Sequence, residues 1–151
     1  MYTKNEKSLI RKKFWTRFGQ YMKPIPNANG ERINWLNYKT GIKDIYIRMD
    51  ADTGKASIAL ELLQKDESLR LNNYAQVQLY RKLLEHSLEN KWKWEEDYFD
   101  ENGNKGSRVI QTLNGVNIFN EEDWPAIISF LKPRLIALDG FWSQIKDLLD
   151  T

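Results

Sequence analysis

The chain has 151 residues, of which 41% are apolar and 13% aromatic, with six tryptophans. That suits one domain with a packed core and excludes a disordered chain. Zero cysteines exclude disulfides, thiolate metal sites and a cysteine nucleophile, and the net charge of +2 conceals a strongly basic start.

Residues 1–23 carry Lys4, Lys7, Arg11, Lys12, Lys13, Arg17 and Lys23 against Glu6 alone, a net of +6, which leaves −4 for the remainder. No apolar h-region follows "MYTKNEKSLIRKKFW", so no signal peptide is expected, and no apolar run reaches the ~18 residues of a membrane span. A cytoplasmic location follows as an expectation. Residues 1–7 are expected to be a flexible basic tail on a single domain spanning 1–151. From residue 8 to 22, Ile10, Phe14, Phe18 and Met22 recur at helical spacing, which predicts a helix. Lys12, Lys13, Arg17 and Lys23 fall on its other side. Those four are the candidate nucleic-acid contacts, although a basic run on a helix also serves simply as a solvated face.

"KPIPNANG" stops the helix with prolines and a glycine turn. Three strands are then expected: "RINWLNYKT", "DIYIRM" and "ASIALELL". With Thr53-Gly54 as the tip of the second hairpin, Met49 faces Ile58, Ile47 faces Leu60, and Ile45 faces Leu62. A second helix is expected from about Leu71 to Glu89, with Val77, Tyr80, Leu84 and Leu88 inward. "KWKWEEDYF" and "SRVIQTL" read as a hairpin around Asn102-Gly103, placing Asp97 opposite Arg108. Asn114-Gly115 could turn a short sixth strand, "VNIF", back on it. Asn120 caps a helical last third, Phe119 and Trp124 stand where a hydrophobic staple would, and Lys132-Pro133 is expected to divide it. In the final helix Leu138, Phe141 or Trp142, Ile145 and Leu149 should point inward.

The expected class is α+β: a mostly antiparallel sheet of five or six strands with helices packed on it, in the order α-β-β-β-α-β-β-(β)-α-α. Three stretches, "KFWTRFGQYMKPIPNANGERINWLNYKTG", "IYIRMDADTGKASIALEL" and "FNEEDWPAIISFLKPRLIALDGFW", resemble the bacterial domain-of-unknown-function family numbered 4268, over roughly residues 8 to 149. Longer proteins with a similar domain carry it after a nuclease-like region. The resemblance therefore implies DNA-processing company, and no catalytic residues.

The hairpin acids raise the question of metal chemistry. Asp50, Asp52 and Glu61 count as positions 1, 3 and 12 of a calcium loop, but Lys55 stands where its glycine belongs and the flanks are strands. The element order is also that of a PD-(D/E)xK nuclease core, which would use Asp44 and Glu61 to hold magnesium and activate water. Asp44 and Glu61 share the non-core face by parity. Leu63, however, stands where the catalytic lysine belongs, and Arg48 lies diagonal to Glu61 as an ion-pair partner. Asp44 and Glu61 are thus the weak catalytic candidates, with no metal or other cofactor expected outside that reading.

Other chemistries find little to work with. His86, the only histidine, has no nucleophile on its face, since Ser87 projects about 100° away around a helix. Trp92 and Trp94 share a strand face and could stack bases, although large aromatics more often serve as core, which is the reading preferred for them. Three functional readings remain. The first is a non-catalytic binding or accessory module associated with nucleic acid. The second is a divergent or degenerate metal-dependent endonuclease. The third is a protein-interaction or homo-oligomer module pairing through an edge strand.

Overall fold

A computed structural model describes residues 2–86 and 92–150. Helix α1 spans Lys4–Met22 and begins earlier than its apolar stripe suggests. Thr3 and Glu6 form a capping box, Thr3 Oγ1 accepting from the Glu6 N–H at 3.2 Å and Glu6 Oε1 from the Thr3 N–H at 3.3 Å. Residues 4–7, expected as part of a tail, are therefore its first turn. Phe14, Phe18 and Met22 are fully buried along one side.

"RINWLNYKT" is not a strand. It makes one 3-10 turn, Trp35–Asn37, capped by the Asn34 side chain, and joins no ladder. Its polar groups find partners elsewhere. The Trp35 indole donates to the Ile25 carbonyl at 2.9 Å, and the Tyr38 hydroxyl donates to the buried carboxylate of Asp139. Thr40 Oγ1 caps the Ile45 carbonyl at 2.7 Å. The Thr40 carbonyl in turn accepts from the Trp142 indole at 2.8 Å, so ties to distant parts of the chain, not ladder bonds, hold this segment.

Four antiparallel strands make the sheet: β1 (Ile45–Ala51), β2 (Thr53–Leu62), β3 (Lys93–Phe99) and β4 (Lys105–Asn117), in the order β1-β2-β4-β3. The β1–β2 register is the expected one, with Ile45, Ile47 and Met49 opposite Leu62, Leu60 and Ile58. Among the described residues the sheet thus has four strands, not five or six, and the three-strand run behind the nuclease-core comparison does not form. "VNIF" does not fold back either. Strand β4 continues through Gly115, whose φ of 80° lets it sit as an extra residue where the β2–β4 register shifts at Gly54/Lys55.

The β3–β4 register also departs from expectation. A shift between Glu95 and Tyr98 puts Glu95, not Asp97, opposite Arg108. Its cause lies on the next helix. The second predicted helix is two, α2 (Glu67–Leu79) and α3 (Arg81–Glu85), separated at Tyr80, where φ −100° and ψ 17° leave the helical region. Leu88 lies outside the described residues. Asp66 caps α2, and Arg70, only 2% exposed, reaches under the sheet. Its guanidinium donates to the Glu96 carbonyl at 2.9 Å, to the Ser107 hydroxyl and to Asp97 Oδ1 at 3.1 Å. A carbonyl drawn to a buried guanidinium is lost to the ladder, so the strand bulges there.

Asn120 caps a 3-10 turn at Glu121–Asp123 that leads into α4 (Trp124–Ile145). Pro133 sits inside this helix without ending it. An interior proline costs ~3 kcal/mol. Ile127, Leu131, Leu135, Leu138, Trp142 and Ile145, each at most 2% exposed, lie on both sides of it in one core, and their burial outweighs that cost. Helices α1, α2 and α4 share that core with Ile58, Leu60 and Leu62 of β2. They cover one face of the sheet and leave the other to solvent.

Candidate functional site

The uncovered face carries the predicted acid. Glu61 stands opposite Tyr46 on β1 and Arg108 on β4, and Arg108 stands opposite Glu95 on β3. One row of polar side chains therefore crosses all four strands. The Tyr98 hydroxyl donates to Glu61 Oε2 at 2.6 Å, and Arg108 Nε bonds Glu95 at 3.0 Å while its guanidinium lies 4.1 Å over the Tyr98 ring. Arg48 Nε comes to 3.6 Å from Glu61 Oε1, the cross-strand ion pair expected from the diagonal, and covers the Tyr46 ring. Glu61 Oε1 itself has no hydrogen bond. Burial first, and then the bond to Glu61, raise the Tyr98 phenol well above its ordinary value of 10.0.

This face is a shallow concavity of about 500 Å³. Arg48, Lys55, Lys93 and Arg108 line it against Asp50, Glu61, Glu95, Asp100 and Glu101, so acids outnumber cations by one. That balance does not attract phosphate, and both of its arginines are already paired, Arg48 with Glu61 and Arg108 with Glu95.

Asp44 takes no part in it. It precedes β1 with a φ of 65°, a left-handed conformation that few side chains adopt, and its carbonyl accepts from the Leu63 N–H at 2.7 Å. The residue lines a separate hollow of about 400 Å³ with Ile42, Lys65 and Asp66. The alternation that put Asp44 beside Glu61 holds only inside a strand, and Asp44 is outside it. The cations near Glu61 are arginines, and among the described residues no three His, Cys, Asp or Glu side chains gather where an ion could be held.

The basic helix divides into two sides. Lys13 and Arg17 lean toward the start of α4: both pair with Glu121, at 3.7 and 3.5 Å, and both lie over the Trp124 ring. Arg11 pairs with Asp52 at 2.8 Å and covers Phe119. Lys12 and Lys23 are exposed and have no ion pair among the described residues. By helical geometry they share one outward stripe with Ser8, Thr16 and Gly19, and are about 16 Å apart along the axis. That stripe holds no acid. At its end Lys23 and Arg32 line a hollow of about 410 Å³.

The sequence pattern of the family described as a domain of unknown function, DUF4268, matches residues 10–146. The chain belongs to this family. No curated protein and no solved structure matches it. No helix among the described residues of this DUF4268 chain is long and apolar enough to cross a membrane.

Sequence reasoning missed Arg70 and Tyr98. Arg70 was legible in principle, since Arg70, Asn73, Tyr74 and Val77 follow a helical stripe and all four are buried. Tyr98 was not, because its contact with Glu61 depends on the strand order and on the bulge. Trp94 packs edge-on to Tyr74 with its indole bonded to Glu85, and Trp92 is buried, so neither offers an open stacking face. His86 is exposed at the end of α3.

Proposed function

We propose that this chain is a non-catalytic binding module that holds nucleic acid along the outward stripe of α1. Lys12 and Lys23 carry the reading. They are the cations of the expected set that no carboxylate among the described residues claims, and the exposed Thr16 hydroxyl stands between them, while Leu36 lies over Gly19 nearer Lys23. Arg32 extends the positive surface beyond Lys23. The family resemblance, with longer members that place a nuclease-like region before this domain, points the same way.

Fluorescence anisotropy with labelled duplex DNA and single-stranded RNA tests it. Binding should weaken with salt, and Lys12→Glu with Lys23→Glu should lower affinity by about tenfold or more at low salt. Lys13→Glu should do less, because Glu121 already engages that ammonium. No binding to either probe at low salt would overturn the reading.

A magnesium-dependent nuclease centred on Asp44 and Glu61 is the competing proposal. The donor set favours it little, since the two acids open onto separate hollows. Plasmid cleavage with magnesium or manganese that is abolished by Glu61→Ala would reverse the order of preference.

A further inference from the structure

The sheet ends on two unlike edges. On β3 the register shift interrupts the ladder, and Glu95, Glu96 and Asp97 would repel a second such edge. On β1 the pairing is unbroken from Ile45 to Ala51. The Leu63 N–H bonds the Asp44 carbonyl and the Asp52 N–H bonds the Lys55 carbonyl, so even-numbered residues turn inward to β2. Antiparallel alternation then turns the N–H and C=O of odd-numbered residues outward. Those of Ile45 are taken by Ile42 and Thr40. Those of Ile47, Met49 and Ala51 have no hydrogen-bond partner among the described residues; Met49 is partly open, whereas Ile47 is 8% and Ala51 2% exposed, so side chains lying across that end must move aside for it to pair. Beside them runs a groove of about 520 Å³, with Trp15, Leu36 and Tyr38 on its helix side. Leu36 is 43% exposed.

We propose that β1 pairs with β1 of a second copy of this chain, antiparallel about a two-fold axis at Met49, so that one sheet runs through the dimer. Charge selects this occupant and this register. With Met49 facing itself, Arg48 stands opposite the second copy's Asp50, and Asp50 opposite the second copy's Arg48, at the close non-hydrogen-bonded spacing of ~4.5 Å between Cα atoms. Ile47 meets the second copy's Ala51 on the helix-covered side. The neighbouring registers that keep the outward groups paired put Arg48 against Arg48 or Asp50 against Asp50. Asp50 is exposed and has no ion-pair partner within its own chain among the described residues. The contact is self-complementary, as a two-fold interface requires. It also covers Leu36 at the seam.

Sedimentation velocity on the full chain decides it, at about 100 μM and low salt, where even a micromolar Kd leaves mostly dimer. The unmodified chain should be dimeric. Asp50→Arg, at an exposed position that its own fold does not use, should be monomeric with an unchanged circular dichroism spectrum. Arg48→Asp should also be monomeric, and an equimolar mixture of the two variants should form a heterodimer, because both contacts become complementary again. A monomeric unmodified chain overturns the proposal. So does an Asp50→Arg variant that associates as well as the original, since association would then use another surface.

Discussion

Leu60 and Glu61 are neighbours on β2 but are held by different forces. Leu60 faces the helices, has no exposed surface, and is held by the removal of apolar area from water, ~25 cal/mol per Å², which has no preferred direction. Glu61 faces away and keeps 12% of its side chain exposed. It is held by the Tyr98 hydroxyl at 2.6 Å and by the Arg48 guanidinium, both of which depend on angle and distance. The covered face answers to volume and the open face to matched partners. With its two arginines engaged by Glu61 and Glu95, the open face is poorly placed to recruit an anion. The surfaces left with unmet demand are the outward stripe of α1 and the edge of β1.

Substitutions can break this contrast, and the largest effect belongs to the residue that joins helix to sheet. Arg70→Ala should destabilise by about 3–5 kcal/mol in urea unfolding, because two buried bonds from a charged donor, to the Glu96 carbonyl and the Ser107 hydroxyl, are lost at about 1.5–3 kcal/mol each, although Ser107 still donates to that carbonyl. Leu60→Ala should cost about 2–5 kcal/mol, the loss of transfer energy plus the cavity. A smaller effect is expected on the open face. Tyr98→Phe leaves Glu61 without its charge-assisted bond, worth about 1.5–3 kcal/mol at neutral pH by the same measurement.

The tyrosines sharpen the contrast through pH. Burial and Glu61 raise the Tyr98 phenol, burial and the nearby Glu96 push Tyr74 up to about 12, and burial and Asp139 raise Tyr38. A folded-state value above the unfolded one gives stability that is complete below the ordinary value of 10.0 and is lost as pH rises beyond it. Chemical denaturation should therefore show stability falling from about pH 10 upward, less steeply in Tyr98→Phe. A slope unchanged in that variant would remove Tyr98 from the effect. The smallest change is expected at the exposed Arg11–Asp52 pair, where Arg11→Ala should cost about 0.2–1 kcal/mol and less at high salt.

What the sequence revealed follows the same division. The β1–β2 register was legible because alternating apolar residues and a Thr53-Gly54 turn agree on one pairing. The inward set of the last helix was legible because Leu138, Phe141, Trp142 and Ile145 lie on one stripe. Where long-range polar contacts decide, local pattern failed. Ile33 and Trp35 alternate like a strand, yet Trp35 is tied to Ile25, and Tyr38 to Asp139, more than a hundred residues away in the chain. Asn114-Gly115 has the composition of a turn, but pairing with β2 on both sides makes it a bulge. At the candidate site, the face of Glu61 followed from parity, whereas Asp44 escaped it by a single left-handed residue.

Pro133 has a consequence for how the longest helix moves. Lacking an N–H, it gives nothing to the carbonyl of Ser129 one turn back, which borders the hollow of about 650 Å³ between α1 and α4. The helical bonding is interrupted there, while Leu131 and Leu135 are fully buried just before and after it. Amide protons of the two halves can therefore exchange with solvent as separate blocks, one breathing while the other stays shut.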